Sequence, residues 1–317
     1  MSRTRLLPVL LVAMLLLAAC GSDDDADDSI TLSDGEEHTE EDVEPAEEPD
    51  DEEPSPDDSE DETFEEASDE ATAQGDAEGQ WVTVFPVREV DGQLWVESEQ
   101  RLLSEETTAV AGAAMEELFE GTTRDPGLAQ PAGASVDVRD VALDGGVLVV
   151  DVSDSILDGA LGAGAEEALH QAVAHTGTRF DSVDAVELRV GGEAITELWG
   201  HVDWSSPAQP DAFARAPVDV ERPRYLETID GSITVSGVSL TYESTVELDL
   251  IDPSGDVLEE TFTTASQPAM DEHGPFSHTF DTEAGEAGEW TVRVREPDPS
   301  GGEGRAPYVA DIVFKVE

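Results

Sequence analysis

A chain of 317 residues has room for two ordinary domains with tails, and its formal net charge of −61 decides which partners it can meet. With 76 Asp and Glu against 15 Lys and Arg, it repels phosphate backbones and anionic lipid headgroups. Nucleic acid is excluded as a partner, and a membrane link has to be covalent rather than electrostatic.

The chain opens on Arg3 and Arg5, then an almost unbroken apolar run from Leu6 to Leu17, then Leu17-Ala18-Ala19-Cys20. The run is shorter than the ~20 apolar residues a spanning helix needs, and Asp23-Asp24-Asp25 follows directly. The pattern resembles the bacterial lipoprotein signal, which implies that Cys20 carries a diacylglycerol and becomes the new N-terminus. Cys20 is the only cysteine, so no disulfide forms within one mature chain. Residues 21–80 read as an acidic, disordered tether. From Asp23 to Gln80 there are 29 acids and no Lys or Arg, too little apolar surface to offset ordering entropy. The remaining 47 acids and 13 bases leave a net −34 on Trp81–Glu317.

At Trp81 the pattern changes. Trp81 to Val87 reads as one strand, with Leu94-Trp95-Val96 as its partner across an Asp91-Gly92 turn. Ser104 is placed to cap a helix with Glu105 and Glu106 in its first turn, Val110, Ala113, Ala114 and Leu118 buried, and Gly121 at its end. A strand from Val136 and Val138 turns at Asp144-Gly145-Gly146 and returns as Val147 to Val152. Ala165, Ala168, Leu169, Ala172 and Val173 form the apolar face of a second helix, with Gly177 as its stop. Val186, Leu188 and Val190 alternate with Glu187 and Arg189 before a Gly191-Gly192 turn. The sum is two helices against one small sheet, an α+β domain over residues 81–203.

Several of these pieces form a recognisable series. They are the strand at Trp81, the helix ending Leu118-Phe119-Glu120-Gly121, Pro131-Ala132-Gly133-Ala134, Gly146 to Ser153, and His175-Thr176-Gly177-Thr178-Arg179-Phe180 before Val183. In that order they resemble the GerMN domain of sporulation and spore-germination lipoproteins. The resemblance implies a non-catalytic module whose fold is similar to ring-building modules of secretion-type assemblies. The sporulation protein that names the family carries two such domains, whereas this chain carries one.

Residues 204–217, rich in Pro, Ala and Ser, read as a linker. Beyond it, strand signals recur at β-sandwich spacing. Ile233 and Val235 open the series, and Val246, Leu248 and Leu250 follow. Asp252 to Gly255 turn the chain, and Val257 to Thr264 return. Phe276 to Phe280, Trp290 to Val294, and Ile312 to Val316 supply further inward positions. Gly231 to Gly237, Tyr242 to Val246, Asp252 to Leu258 and the closing Tyr308 to Val316 are similar to the immunoglobulin-like domain of bacterial spore-germination proteins. That resemblance spans residues 218–317 and implies an all-β sandwich.

Catalytic chemistry has little to stand on. The lone lysine, Lys315, lies in the final predicted strand, which removes a P-loop, a Ser-Lys dyad and a Schiff base. His170 and His175 are five apart, on different helix faces. His273 and His278, beside Asp271 and Glu272, are the better metal candidates, and Asp151, Asp154 and Asp158 are candidates for calcium. Solvated loops and a turn at Asp154 or Ser155 account for both groups without a metal. Trp199, His201 and Trp204 are placed at the domain junction, as packing or as a ligand groove. No enzyme activity, metal or cofactor is expected.

The expectation is a lipid-anchored extracytoplasmic protein that acts by protein–protein interaction. Its partners are envelope proteins, or further copies of itself through sheet edges. The alternative is a binder of a solute or cell-wall polymer in the interdomain groove.

Overall fold

The computed structural model describes residues 79–132, 136–159, 162–282, 287–298 and 301–317. Cys20 and nearly all of the 21–80 segment lie outside them. The fold is α+β followed by an all-β sandwich.

The α+β part opens with β1 (Trp81–Val84), β2 (Val87–Val90), β3 (Gln93–Val96) and β4 (Glu99–Leu102). The single strand expected from Trp81 to Val87 is therefore two. Pro86 has no N–H to give a ladder, and the Phe85 N–H instead donates to Thr176 Oγ1 at 3.1 Å. β1 pairs with β4, while β2 pairs with β3 across a turn in which Asp91 and Gly92 both have positive φ.

Helix α1 (Val110–Phe119) starts six residues after Ser104, which does not cap it. The intervening segment has other commitments. Thr107 N–H donates to Gln80 Oε1 at 2.7 Å, and Gln80 Nε2 donates to Thr107 O at 3.0 Å, tying this stretch to the start of β1. The helix buries Ala114, Met115, Leu118 and Phe119.

A short β5 (Leu128–Ala129) adds to β2. β6 (Val138–Asp144) and β7 (Val147–Val152) form a hairpin, and α2 (Ala163–Gly177) then crosses to β8 (Ala185–Val190), parallel to β7. β9 (Glu193–Ala194) closes a four-stranded sheet, β6-β7-β8-β9. The expected single sheet is thus three: β1-β4, β3-β2-β5 and this one. Both helices bury their apolar faces in one core with Val84, Phe85, Val150, Val186 and Leu188.

Gly177 is the last residue of α2 and ends it without a left-handed φ; its role is space. A Cβ there would stand 2.3 Å from Val186 Cγ2 and 3.0 Å from Met115 Cε. Val186 is fully buried in β8 and cannot swing aside. Gly177→Ala should therefore cost about 1–3 kcal/mol by overpacking, despite alanine's better helix propensity. A urea midpoint unchanged or raised would refute this.

The sandwich begins with β10 (Val218–Arg222) and β11 (Thr228–Ile229), ahead of the first strand read from the sequence. β12 (Thr234–Ser239), β13 (Thr245–Ile251), β14 (Val257–Thr264), β15 (Gly274–Thr279), β16 (Gly288–Arg295) and β17 (Val309–Val316) follow. One sheet runs β10-β12-β15, the other β11-β17-β16-β13-β14. Between them lie Ile233, Val235, Leu248, Leu250, Phe276, Trp290, Val292 and Phe314. Among the described residues no helix is long and apolar enough to cross a membrane.

Candidate functional site

The histidines singled out as ligands do not converge. His170 sets its ring against the Trp204 ring with centroids 4.7 Å apart, while His175 packs on Phe85 at 5.3 Å and its Nε2 is 3.0 Å from Asp211 O. His273 immediately precedes β15, and His278 lies within it near its other end. His273 Nε2 is 3.0 Å from Ala216 O, and His278 stacks edge-on against Phe280 with Glu259 3.9 Å away. Asp271 is exposed, and the Glu272 N–H donates to Ala269 O at 3.4 Å. Asp151 accepts from the Gly192 N–H at 2.7 Å, Asp154 pairs with Arg139 at 3.5 Å and opens a 3-10 turn, and Asp158 is exposed. Among the described residues no three His, Cys, Asp or Glu are grouped to hold a metal ion.

Trp199, His201 and Trp204 are not at the domain junction. They belong to the first domain, where they gather around Glu166, a fully buried carboxylate in the first turn of α2. Its Oε1 accepts from Trp199 N–H and Trp204 Nε1–H, both at 3.2 Å, and its Oε2 accepts from His201 N–H at 3.0 Å. Burial pushes this carboxyl up, but the donated hydrogen bonds outweigh it and hold the pKa below the usual carboxylate range. The helix N-terminus favours the same ionised form. This centre pins residues 199–204 over the helix.

The junction is built from other residues. Trp95, on β3 of the first domain, inserts into the sandwich core and meets Tyr308 edge-on, ring centroids 6.2 Å apart. Beside it, Arg88 donates from Nε to Glu97 Oε2 at 2.5 Å, and from Nη2 to Glu97 Oε1 at 2.9 Å and Asp125 Oδ2 at 2.5 Å. The Tyr308 hydroxyl donates to Glu97 from the sandwich side. Burial works against the Arg88 charge, but Glu97 outweighs it and raises the guanidinium pKa. Burial also pushes the Tyr308 phenol well up. A second pairing joins Ser98 to Asp219, whose carboxylate accepts from Ser98 N–H and Oγ–H and from Arg215 Nε at 2.6 Å. The 204–217 linker is itself pinned: Val96 N–H donates to Ala214 O at 3.0 Å, and Ala216 N–H to Val96 O at 2.8 Å. One space at this junction, lined by Glu97 to Gln100, Pro223 and Arg224, is about 40 Å³, room for water and little else. An open groove of about 600 Å³ lies between Arg88, Asp125 and Gly127 on one side and Tyr225, Arg293 and Ala310 on the other.

His175 and His273 meet Arg215 and Asp219 at the same junction, one from each domain. Burial lowers the His175 pKa to about 4, aided by the Arg215 charge and His273 and opposed by Asp211 O and Asp219. Burial also lowers His273. The unfolded chain takes up a proton near the ordinary histidine value of about 6.5, and the folded chain resists it. Stability from this group is full above pH ~6.5 and drains away as pH falls towards 4. At acid pH the loss for His175 should be on the order of 2–3 kcal/mol, from ~1.4 kcal/mol per pKa unit. Glu97, pushed up by burial, works in the opposite sense and trims the total. Urea midpoints from pH 7.5 to 4.5 should fall, and His175→Gln should flatten the fall. Equal slopes in the two proteins would contradict this.

Comparison with known proteins places both halves. Residues 76–196 match the family model described as "Sporulation and spore germination", and residues 217–303 match "Immunoglobulin-like domain of bacterial spore germination". Together the two matches support a spore germination domain architecture. Similar solved structures include the first GerMN domain of the sporulation protein GerM from Bacillus subtilis, at 21% identity and TM-score 0.35, covering 41% of this chain and 97% of that one. The tandem GerMN domains of the same protein match at 17% and TM-score 0.37, over 64% of this chain and 62% of theirs. A putative lipoprotein from Clostridium perfringens matches at 16% and TM-score 0.29, over 40% and 85%. No curated protein matches the chain.

Proposed function

We propose that the chain is a lipid-anchored, extracytoplasmic, non-catalytic protein that acts by binding other envelope proteins in a sporulation- or germination-type process. The observation that carries this is the junction. Two modules matched to germination families are joined into one unit by buried hydrogen bonds, Tyr308 to Glu97 and Ser98 to Asp219, and by an inserted tryptophan. Such a joint presents two surfaces in fixed register. The Cys20 signal and the acidic 21–80 segment support placement at a distance from a membrane surface.

Two measurements test the reading. Cys20→Ser should move the protein out of the membrane fraction or leave it unprocessed; a processed variant that stays with the membrane removes the anchor. Pull-down from detergent-solubilised membranes should recover defined envelope proteins. A saturable rise in melting temperature with a small solute would favour the solute-binding alternative instead.

A further inference from the structure

Phe213, Tyr242 and Met270 are large apolar side chains left 62%, 60% and 95% exposed, and all three line one groove of about 930 Å³ at an end of the sandwich. They come from three separate places: the pinned linker, the turn after β12 and the turn after β14. Tyr242 opens a turn in which two successive non-glycine residues, Glu243 and Ser244, hold φ of 54° and 56°. Such backbone is strained and persists where surrounding structure enforces it. Phe213 is held by the junction, since Phe213 N–H donates to Asp211 Oδ1 at 2.9 Å and Ala214 O accepts from Val96. The joint therefore places Phe213 on a groove whose other lining residues belong to the sandwich.

Its charge names the occupant. Glu243, Glu296 and Asp298 line it against the single guanidinium of Arg305, which is engaged by the two oxygens of Glu296. The 23–80 segment, with 29 acids and no Lys or Arg, does not complement this surface, and a second copy brings the same −61. We infer that the groove docks an extended, cationic segment of a partner protein, its apolar side chains seated among Phe213, Tyr242 and Met270 and its Lys or Arg residues meeting the carboxylate rim. Aromatic and methionine anchors inside a polar rim are the composition of protein-binding surfaces, and a flexible thioether accommodates varied side chains. The opposite charges speed encounter and select against acidic chains. This inference rests on the protein-binding reading above and gives it a place and a partner chemistry.

The test is a random dodecapeptide display library panned against the full chain and against the full-chain triple variant Phe213→Ala, Tyr242→Ala, Met270→Ala. Wild type should select sequences that combine Lys or Arg with apolar residues. A selected peptide, labelled and titrated by fluorescence anisotropy, should bind the triple variant at least tenfold more weakly. The exposed pair Leu258→Ala, Phe262→Ala on β14 is the control and should bind as wild type. Selection of acidic or uncharged peptides, or equal binding by wild type and the triple variant, overturns the groove. If the triple variant still recovers the same envelope proteins from solubilised membranes, the groove assignment fails while the protein-binding reading stands. Saturable binding of soluble cell-wall fragments that the triple variant loses would sink both.

Discussion

Arg88→Met should cost about 3–5 kcal/mol, among the largest losses available to any single change in this chain. Arg88 is buried and is the cation shared by Glu97 and Asp125. Methionine fills much of the same volume but leaves Glu97, itself 3% exposed, as a charge facing only the Tyr308 hydroxyl. The loss comes from stranding that carboxylate rather than from the worth of the pair, because desolvating both ions already offsets much of their attraction. The double variant Arg88→Met, Glu97→Gln should therefore recover at least 1 kcal/mol of the single loss. Denaturant unfolding followed by tryptophan fluorescence reads both, with Trp95 beside the network. A single loss below 1 kcal/mol, or a double variant worse than the single, would show that water reaches the junction and solvates Glu97.

The sequence carried most of the regular structure because that structure follows periodicity. Val147 to Val152 and Ala185 to Val190 lie in the structure where their apolar patterns put them, and the glycine turns at 145–146 and 191–192 have the positive φ their hairpins need. Elements with polar sequences were illegible. Glu99-Gln100-Arg101-Leu102 does not look like a strand, yet β4 buries Glu99 and Arg101 because each finds a charged or backbone partner. Ser104 misled because its capping pattern is local, whereas the Gln80–Thr107 hydrogen bonds that delay α1 join residues 27 positions apart.

The junction failed for the same reason. Trp199, His201 and Trp204 looked interdomain because they sit late in the first domain, while the residues that join the domains include Arg88, Trp95, Glu97 and Ser98 from its beginning. An alternating strand with a tryptophan at an inward position is ordinary; nothing in it says that the core it enters belongs to the next domain. The one available hint was a run of paired signs, Arg88, Glu97, Glu99 and Arg101, denser in arginine than a chain with so few bases would place on an open surface.

Glu166→Ala should be comparably damaging, about 3–5 kcal/mol, and confined to the first domain. The carboxylate sits fully buried among donors that include Trp199 N–H, His201 N–H, Val202 N–H and the Trp204 indole. Alanine removes every acceptor at once and leaves those N–H groups facing a fully buried position without a partner, costing up to about 1–3 kcal/mol each until the 199–204 segment moves or water reaches them. Glu166→Gln is the sharper probe. Its amide oxygen can replace Oε1, which takes two of the donors, but its NH₂ then faces the His201 N–H, so the loss should be smaller, about 1–3 kcal/mol. Acid titration separates packing from charge. The Glu166 pKa is held below the ordinary carboxylate value, so its contribution is full above that value and is lost as pH falls through the lower folded value. Wild type should show that loss below pH ~4.5, and Glu166→Gln, which cannot titrate, should not. If glutamine were as harmful as alanine, and both variants kept the wild-type acid slope, the carboxylate would matter for its shape and not for its charge.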